Sequence, residues 1–484
     1  MVNCEENLIR SYGYSKRGTT AKLAAFAALA LSTAGFAQAP PHYEASIQSL
    51  DQHPVPQWYD DAKLGIFIHW GLYSVPGWAP LTMVNFNDPN QFKNNPYAEW
   101  YYNTVRIDGS PTQKYDREHF GPNHNYYDFA AEFDKQSASW NPDAWAQIFK
   151  DAGAKYVVLT TKHHEGFTLW PSVTPNPTLP ADRQHATRDL VGDLTKSVRQ
   201  QGLKMGLYYS GGFDWTFVPG PISSRESFEA TKPQSEAYGK YVDAQYRELI
   251  QRYQPSVLWN DIDYPKTGHP MDIEAEYYNA VPDGVVDDRF GIKHADYTSP
   301  EYSTLKEISP KKWEECRGLG QSFGYNRAEG EAQTIAPDKL IYLLVDIVSK
   351  NGNLLLDVGP EADGTIPAVQ MARLKELGAW LAQNGDAIYG THPWKRAEGK
   401  TTSGMDVRFT QKNSTLYATM MGSIQGPSVT IASLKPKAGA TIELLGYDKP
   451  LTWTQVGEDV KVSLPASLPG KYAYVLSIDQ AGEI

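Results

Sequence analysis

Apolar and polar positions alternate in two rhythms along this chain, and the rhythm changes near Trp394. From Trp58 to about Tyr389, short continuous apolar runs alternate with segments of helical periodicity. LGIFIH (Leu64 to His69), KYVVLTT (Lys155 to Thr161), KMGLYY (Lys204 to Tyr209), VLWND (Val257 to Asp261), the short Gly284 to Asp288 and NLLLDV (Asn353 to Val358) read as strands. Between them, Pro142 to Ala152, Asp189 to Gly202, Glu236 to Tyr253, Asp272 to Ala280 and Pro337 to Lys350 place apolar residues on one helical face. Asn141 before Pro142 is a helix start signal, and Gly202 a stop. Repeated strand–helix units with uninterrupted apolar strands predict a parallel sheet covered on both faces. The count suits a (β/α)8-like barrel with irregular members. An open doubly wound sheet is the alternative, but no G-x-G-x-x-G follows the first strand.

Beyond Trp394 the runs become short and regularly spaced. Val407 to Thr410, Leu416 to Met420, Ser428 to Ile431, Thr441 to Leu445, Val460 to Leu464 and Tyr472 to Ile478 predict a C-terminal β-sandwich. Those runs show no aromatic platform, so a buttressing role is expected. The start of the chain is different again. Lys16, Arg17 and Lys22 precede the apolar Leu23 to Leu31, and small residues follow up to Ala37. This pattern predicts a secretory signal peptide, cleaved after Ala37, and an apolar run too short to span a membrane. The expected layout is a signal peptide over 1–37, a catalytic barrel over 38–392 and a sandwich over 393–484. Secretion or a periplasmic location follows as an expectation.

The 484 residues allow more than one domain and a sizeable core. A net charge of −11 without a basic patch argues against nucleic acid as a partner. Of the two cysteines, Cys4 lies in the leader, which leaves Cys316 without a disulfide partner. The 13 Trp and 30 Tyr serve cores, and they also serve sites that stack sugar rings.

The strand ends carry the chemistry. His69-Trp70-Gly71, Lys162-His163-His164-Glu165-Gly166, Tyr208-Tyr209-Ser210 with Asp214-Trp215, Asn260-Asp261 and Asp287-Asp288-Arg289 each follow an apolar run. In a (β/α)8 barrel those ends face the site. Such a ring of donors, acceptors and aromatic planes suits a polyhydroxylated substrate. A metal centre is not expected: His163 and His164 are adjacent, so on a strand they point to opposite faces, and no H-E-x-x-H or Cys/His cluster is present. No cofactor is expected. Glycoside hydrolysis needs two carboxyl groups. Asp261 is one candidate, and Glu301, in the TSPEY loop after Arg289, is an attractive second. The residues alone do not choose it over Glu165, Glu99, Asp214 or Glu315.

The segments WYDDAKLGIFIHWGLYSVPGW, YAEWY, VLTTKHHEGFTLWPS, RDLVGDL, GLYYSGGFDW, VLWND, DDRFG, SFGYNR, LVDIVSKNGNLLLDVGPEADGTIP and YGTHPW, in this order from Trp58 to Trp394, resemble the α-L-fucosidases of glycoside hydrolase family 29. The resemblance implies a retaining hydrolase of terminal α-L-fucose, acting on fucosylated oligosaccharides or glycoconjugates. It implies Asp261 as nucleophile and Glu301 as acid/base. His69, Glu99, Trp100, His163, His164, Tyr208 and Arg289 match positions that hold the sugar. Phe67, Trp259 and Phe323 match the apolar surface around its C5 methyl. One departure is Asp287-Asp288-Arg289-Phe290, where the family often has Asn-Asp-Arg-Trp. Two other readings share the site: action on α-L-galactosides or transfer to a sugar acceptor, and fucose binding without catalysis. Linkage preference rests on the loops 77–95 and 218–232, and the sequence assigns no oligomeric state.

Overall fold

The computed structural model describes residues 42–82, 88–218 and 220–479. The expected leader and its cleavage point lie outside the described residues. Seven parallel strands form one sheet: β1 (Leu64–Ile68), β2 (Tyr156–Lys162), β3 (Lys204–Ser210), β4 (Val257–Asp261), β5 (Val285–Val286), β6 (Trp313–Gly318) and β7 (Gly352–Val358). Their spatial order is β5-β4-β3-β2-β1-β7-β6. The two edges, β5 and β6, are joined by an irregular segment rather than by a strand. Asp287 bridges Tyr297, Thr298 bridges Trp313 and Glu301 bridges Cys316, all parallel. The Cys316 amide donates to the Pro300 carbonyl at 3.1 Å. The curled sheet thereby closes into a ring whose eighth member is the segment around 297–301, and Glu301 is carried on it.

Every residue of β1, β2, β4 and β7 is buried, as a sheet covered on both faces requires. The outer face packs on helices Pro142–Asp151, Leu190–Gln200, Glu236–Tyr253, Pro337–Ser349 and Ala368–Asn384, through residues such as Leu159, Leu194, Leu207, Val242, Leu344 and Leu354. The inner face is a separate aromatic cluster of Tyr59, Phe67, Tyr156, Tyr208, Trp259, Tyr297 and Cys316. It is tight: a Cβ on Gly65 would lie 2.4 Å from the Tyr156 ring, so only glycine fits at that position. Helix starts follow local chemistry. The side chains of Asn141 and Asp189 accept from the amides of Asp143 and Gly192 at 3.0 and 2.8 Å.

Several elements are absent from the expected set, among them helices Pro111–His119 and Phe129–Ser137 and the strands His392–Lys400 and Trp453–Val456. Strand β6 (WEECRG) has no apolar run, although Trp313 to Cys316 are all buried. Helix Ala368–Asn384 is also absent from the expected set. The C-terminal part holds β8 (His392–Lys400), β9 (Asp406–Lys412), β10 (Thr415–Met420), β11 (Ser428–Ile431), β12 (Ile442–Leu444), β13 (Trp453–Val456), β14 (Asp459–Ser463) and β15 (Tyr474–Ile478). They form antiparallel sheets ordered β12-β15-β10-β9-β8 and β11-β14-β13. Val407, Phe409, Leu416, Ile431, Val460 and Leu476 lie in the core between them. Ion pairs fix this domain to helix Pro337–Ser349: Arg408 to Asp346 at 2.5 Å and Lys350 to Glu398 at 2.9 Å. The second is half open to water and adds little.

Candidate active site

The C-terminal ends of the barrel strands converge on the last residue of β4. Asp261 is held from three directions. Its Oδ1 accepts from Arg289 Nη1 at 2.8 Å and from the Ile262 amide at 3.0 Å, and its Oδ2 accepts from the Tyr208 hydroxyl at 2.8 Å. The side chain keeps 10% of its surface exposed, toward the mouth of the barrel. Burial first, and then the Asp261 charge, push the Tyr208 phenol well above its usual pKa, so it remains a proton donor. Tyr208 stacks on Trp259 (centroids 5.3 Å apart), and the Arg289 guanidinium lies 4.5 Å above the same indole. Arg289 is fixed in turn by Ser299, whose hydroxyl and carbonyl accept from Nε and Nη2 at 3.1 and 2.9 Å.

Glu301 meets the other edge of that guanidinium, with Oε2 at 3.6 Å from Nη2. Its side chain keeps 35% of its surface open although the group sits within the cleft. Removal from bulk water, followed by the Asp261 and Glu99 carboxylates, pushes its pKa up against the opposing pull of Arg289. A substrate that covers the open third would strengthen that push. The next residue, Tyr302, has φ of 47°, a left-handed conformation that turns the chain sharply at the site.

The histidines lie next to these groups. His69, just past β1, places Nδ1 2.7 Å from Asp357 on β7. Burial drives the imidazole toward its neutral form and raises the Asp357 carboxyl. His164 Nδ1 lies 2.6 Å from the Ser210 hydroxyl, which itself donates to the Phe213 carbonyl at 2.8 Å. With the Ser210 proton committed, Nδ1 must carry the His164 proton. Burial keeps the ring neutral, so Nε2, 3.8 Å from Asp261 Oδ2, presents a lone pair to the site. A sugar hydroxyl between the two would donate to either.

One expectation fails here. His163 and His164 do not point to opposite faces: β2 ends at Lys162, and past it the two rings lie side by side with centroids 3.9 Å apart. Alternation is a property of extended strand, and the chain has left it. Among the described residues there is no group of three or more His, Cys, Asp or Glu side chains arranged to hold a metal ion.

Glu99 is buried, with Oε2 accepting from the Gly324 amide at 2.8 Å and lying 3.1 Å from the Ser322 hydroxyl. Trp100 meets His164 edge-on at 5.6 Å and packs on Trp215 at 5.3 Å. Phe67, Trp259 and Phe323 form one apolar wall, with Phe67 5.3 Å from Trp259 and 6.5 Å from Phe323. The structure therefore brings all twelve residues expected at the site together in one cluster of contacts. The rejected acids sit elsewhere or serve other groups. Asp214 is locked to Lys162 at 3.2 Å with both side chains fully buried. Glu315, neighbour in sequence to the inward Glu314 and Cys316, turns to the outer face of β6. Glu165 lies 3.5 Å from His163 Nδ1.

Sequence reasoning missed Asp357 and Tyr97, and it named Ser210 at a strand end without giving it a role. Asp357 follows the strand-end rule that found Asp261, in NLLLDV. Tyr97 opens the YAEWY segment; burial first, and then the Glu301 and Glu99 charges it faces, raise its phenol pKa, so it stays protonated beside Glu301.

Comparison with known proteins points one way. The family model for alpha-L-fucosidase matches residues 30–386, and the model for the alpha-L-fucosidase C-terminal domain matches residues 400–479. The tissue alpha-L-fucosidase of Mus musculus is 35% identical over 462 residues, spanning 91% of this chain and 96% of that protein. A crystal structure of Thermotoga maritima alpha-fucosidase in complex with a mechanism-based inhibitor is 43% identical, covers 90% of this chain and 100% of its own, and superposes with a TM-score of 0.84. The same enzyme in complex with fucose gives a TM-score of 0.83.

Proposed function

The chain belongs to the alpha-L-fucosidase family, glycoside hydrolase family 29, and from that premise we propose a role for each part of its site. It hydrolyses terminal α-L-fucosyl residues with retention, through a covalent fucosyl-enzyme. One observation carries the assignment of residues: a single guanidinium, Arg289, contacts Asp261 at 2.8 Å and Glu301 at 3.6 Å. That keeps the two carboxyl groups close, which fits the short separation of about 5–5.5 Å in retaining glycosidases.

Asp261 is paired with Arg289, and its two other hydrogen bonds, from the Ile262 amide and the Tyr208 hydroxyl, aim its free edge at the anomeric carbon. Glu301, pushed toward its protonated form, gives its proton to the leaving oxygen as the glycosidic bond breaks. Water then attacks the anomeric carbon, Glu301 takes the water's proton, the bond from that carbon to Asp261 breaks, and Asp261 leaves as carboxylate. His69, His163, His164, Glu99 and Trp100 hold the sugar hydroxyls and ring. The wall of Phe67, Trp259 and Phe323 accepts the C5 methyl. A 6-hydroxyl there would lose its water without gaining a partner, which disfavours L-galactosides. NMR of the first-formed sugar tests the stereochemistry: α-L-fucose should appear before mutarotation, and β-L-fucose would refute the covalent route.

We further propose that the protein is exported. The support is the basic, apolar and small-residue succession up to Ala37. N-terminal sequencing of the native protein should read from Gln38; an intact leader on a cytoplasmic protein would refute export.

A further inference from the structure

The segment 318–329 supplies three parts of the sugar pocket: Phe323 in the apolar wall, and the Ser322 hydroxyl and Gly324 amide that grip Glu99. It has no regular secondary structure beyond β6, so something must fix it. At its centre stands Glu329. Its Oε1 accepts from the amides of Gln321 and Ser322 at 3.0 and 2.8 Å. The backbone presses on this carboxylate so closely that a Cβ on Gly320 would fall 1.9 Å from Oε2. The Glu329 amide is itself held by the Asn326 carbonyl at 3.0 Å, and Asn326 is tied to Ala79 by a reciprocal pair at 3.2 Å. On the other side, the Tyr302 hydroxyl donates to the Gln321 carbonyl at 2.9 Å. The residue after the proposed acid/base is thereby linked to the same turn.

We propose that Glu329 is a specificity-positioning residue: by clasping the amides of Gln321 and Ser322 it holds Phe323 in the wall that rejects a hydroxylated C6. It is not a catalytic residue, because it acts through the loop. Phe323 is 6% exposed and touches His69 (5.0 Å) and Tyr302 (5.4 Å), so a small displacement opens a gap on the pocket side. Water entering that gap would give a 6-hydroxyl the partner it lacks, and discrimination would fall. The inference rests on the fucosidase reading above.

The test compares aryl α-L-fucoside with aryl α-L-galactoside for wild type, Glu329→Gln, Glu329→Asp and Glu329→Ala. Gln keeps an acceptor oxygen for both amides, so its selectivity ratio should stay near wild type. Ala should lower the kcat/KM ratio of fucoside over galactoside by about tenfold, the scale of one group's discrimination, mainly through the fucoside KM. Asp should fall between, and its melting curve shows whether a folded protein is being read if Ala does not accumulate. An unchanged ratio in folded Ala or Asp would overturn the proposal. So would a loss shared equally by both substrates. Absence of fucoside turnover in the wild type would instead refute the fucosidase reading.

Discussion

Asp261 and Glu314 are carboxylates inside the same barrel, yet their surroundings give them opposite fates. Asp261 stands at the C-terminal mouth, with a guanidinium, a phenol and a backbone amide on its oxygens and one edge open. Glu314 lies deeper and is fully buried. It accepts from the Tyr59 and Tyr156 hydroxyls and, at 3.3 Å, from the Trp259 indole. Those donors are neutral. Burial outweighs them and pushes Glu314 up to about 7. On the proposed assignment, a paired cation and an open edge make a strand-borne carboxylate reactive; without them it is a structural acceptor. Trp259 lies between them, with Arg289, the partner of Asp261, over its indole and its N–H on Glu314.

The sharpest way to break this contrast is to remove each carboxylate. Asp261→Gly should lower kcat for an aryl fucoside by at least about 10³-fold while thermal unfolding stays close to wild type. Comparable loss from Glu314→Gln would erase the distinction. Glu301→Gln should cost about 10²–10³-fold on unactivated glycosides and less on substrates with good leaving groups. In wild type, rising pH removes the Glu301 proton and activity with it. Because that pKa is raised, the alkaline limb should lie above the ordinary carboxylate range, and the Gln variant should lose it. Glu314→Ala leaves two phenols and an indole without an acceptor, which should cost roughly 3 kcal/mol in denaturant unfolding.

The smallest effect concerns Glu315 on the outer face of β6. Burial raises it to about 7, against an ordinary 4.5, with Arg317 3.7 Å away. Its folded form binds the proton more tightly than the unfolded chain. The stability it lends is full below about pH 4.5 and is lost as pH climbs through 7, on the order of 3 kcal/mol at most. Glu315→Gln should flatten that part of the stability–pH curve; an unchanged slope between pH 5 and 8 would contradict the assignment.

The legible parts of this protein are those where period and position coincide. Uninterrupted apolar runs marked most of the barrel strands, and the residues that end them marked the site, so Asp261, His69 and Tyr208 followed together. Strand β6 escaped because Glu314, Glu315 and Arg317 look solvent-facing until the partners of Glu314 (Tyr59 before β1, Tyr156 on β2 and Trp259 on β4) and the pairing of Glu315 with Arg317 are known. The family resemblance, not the residues alone, singled out Glu301, since it rides on a bridge segment with no strand pattern. The His163–His164 pair misled because strand alternation was applied to both residues although the strand ends before them, at Lys162. Asp357 was readable by the same rule as Asp261. Glu329 carries no sequence signal, because its role exists only through the fold of the loop before it.

The account stands on Asp261 as the atom-bonding nucleophile. Incubation with a 2-deoxy-2-fluoro-α-L-fucosyl donor bearing a good leaving group, then peptide mass spectrometry, reads this directly. A fluorofucosyl ester on the peptide that contains Asp261, absent in Asp261→Gly, is the predicted result. A label on another residue, or inactivation without a label on Asp261, would contradict the account.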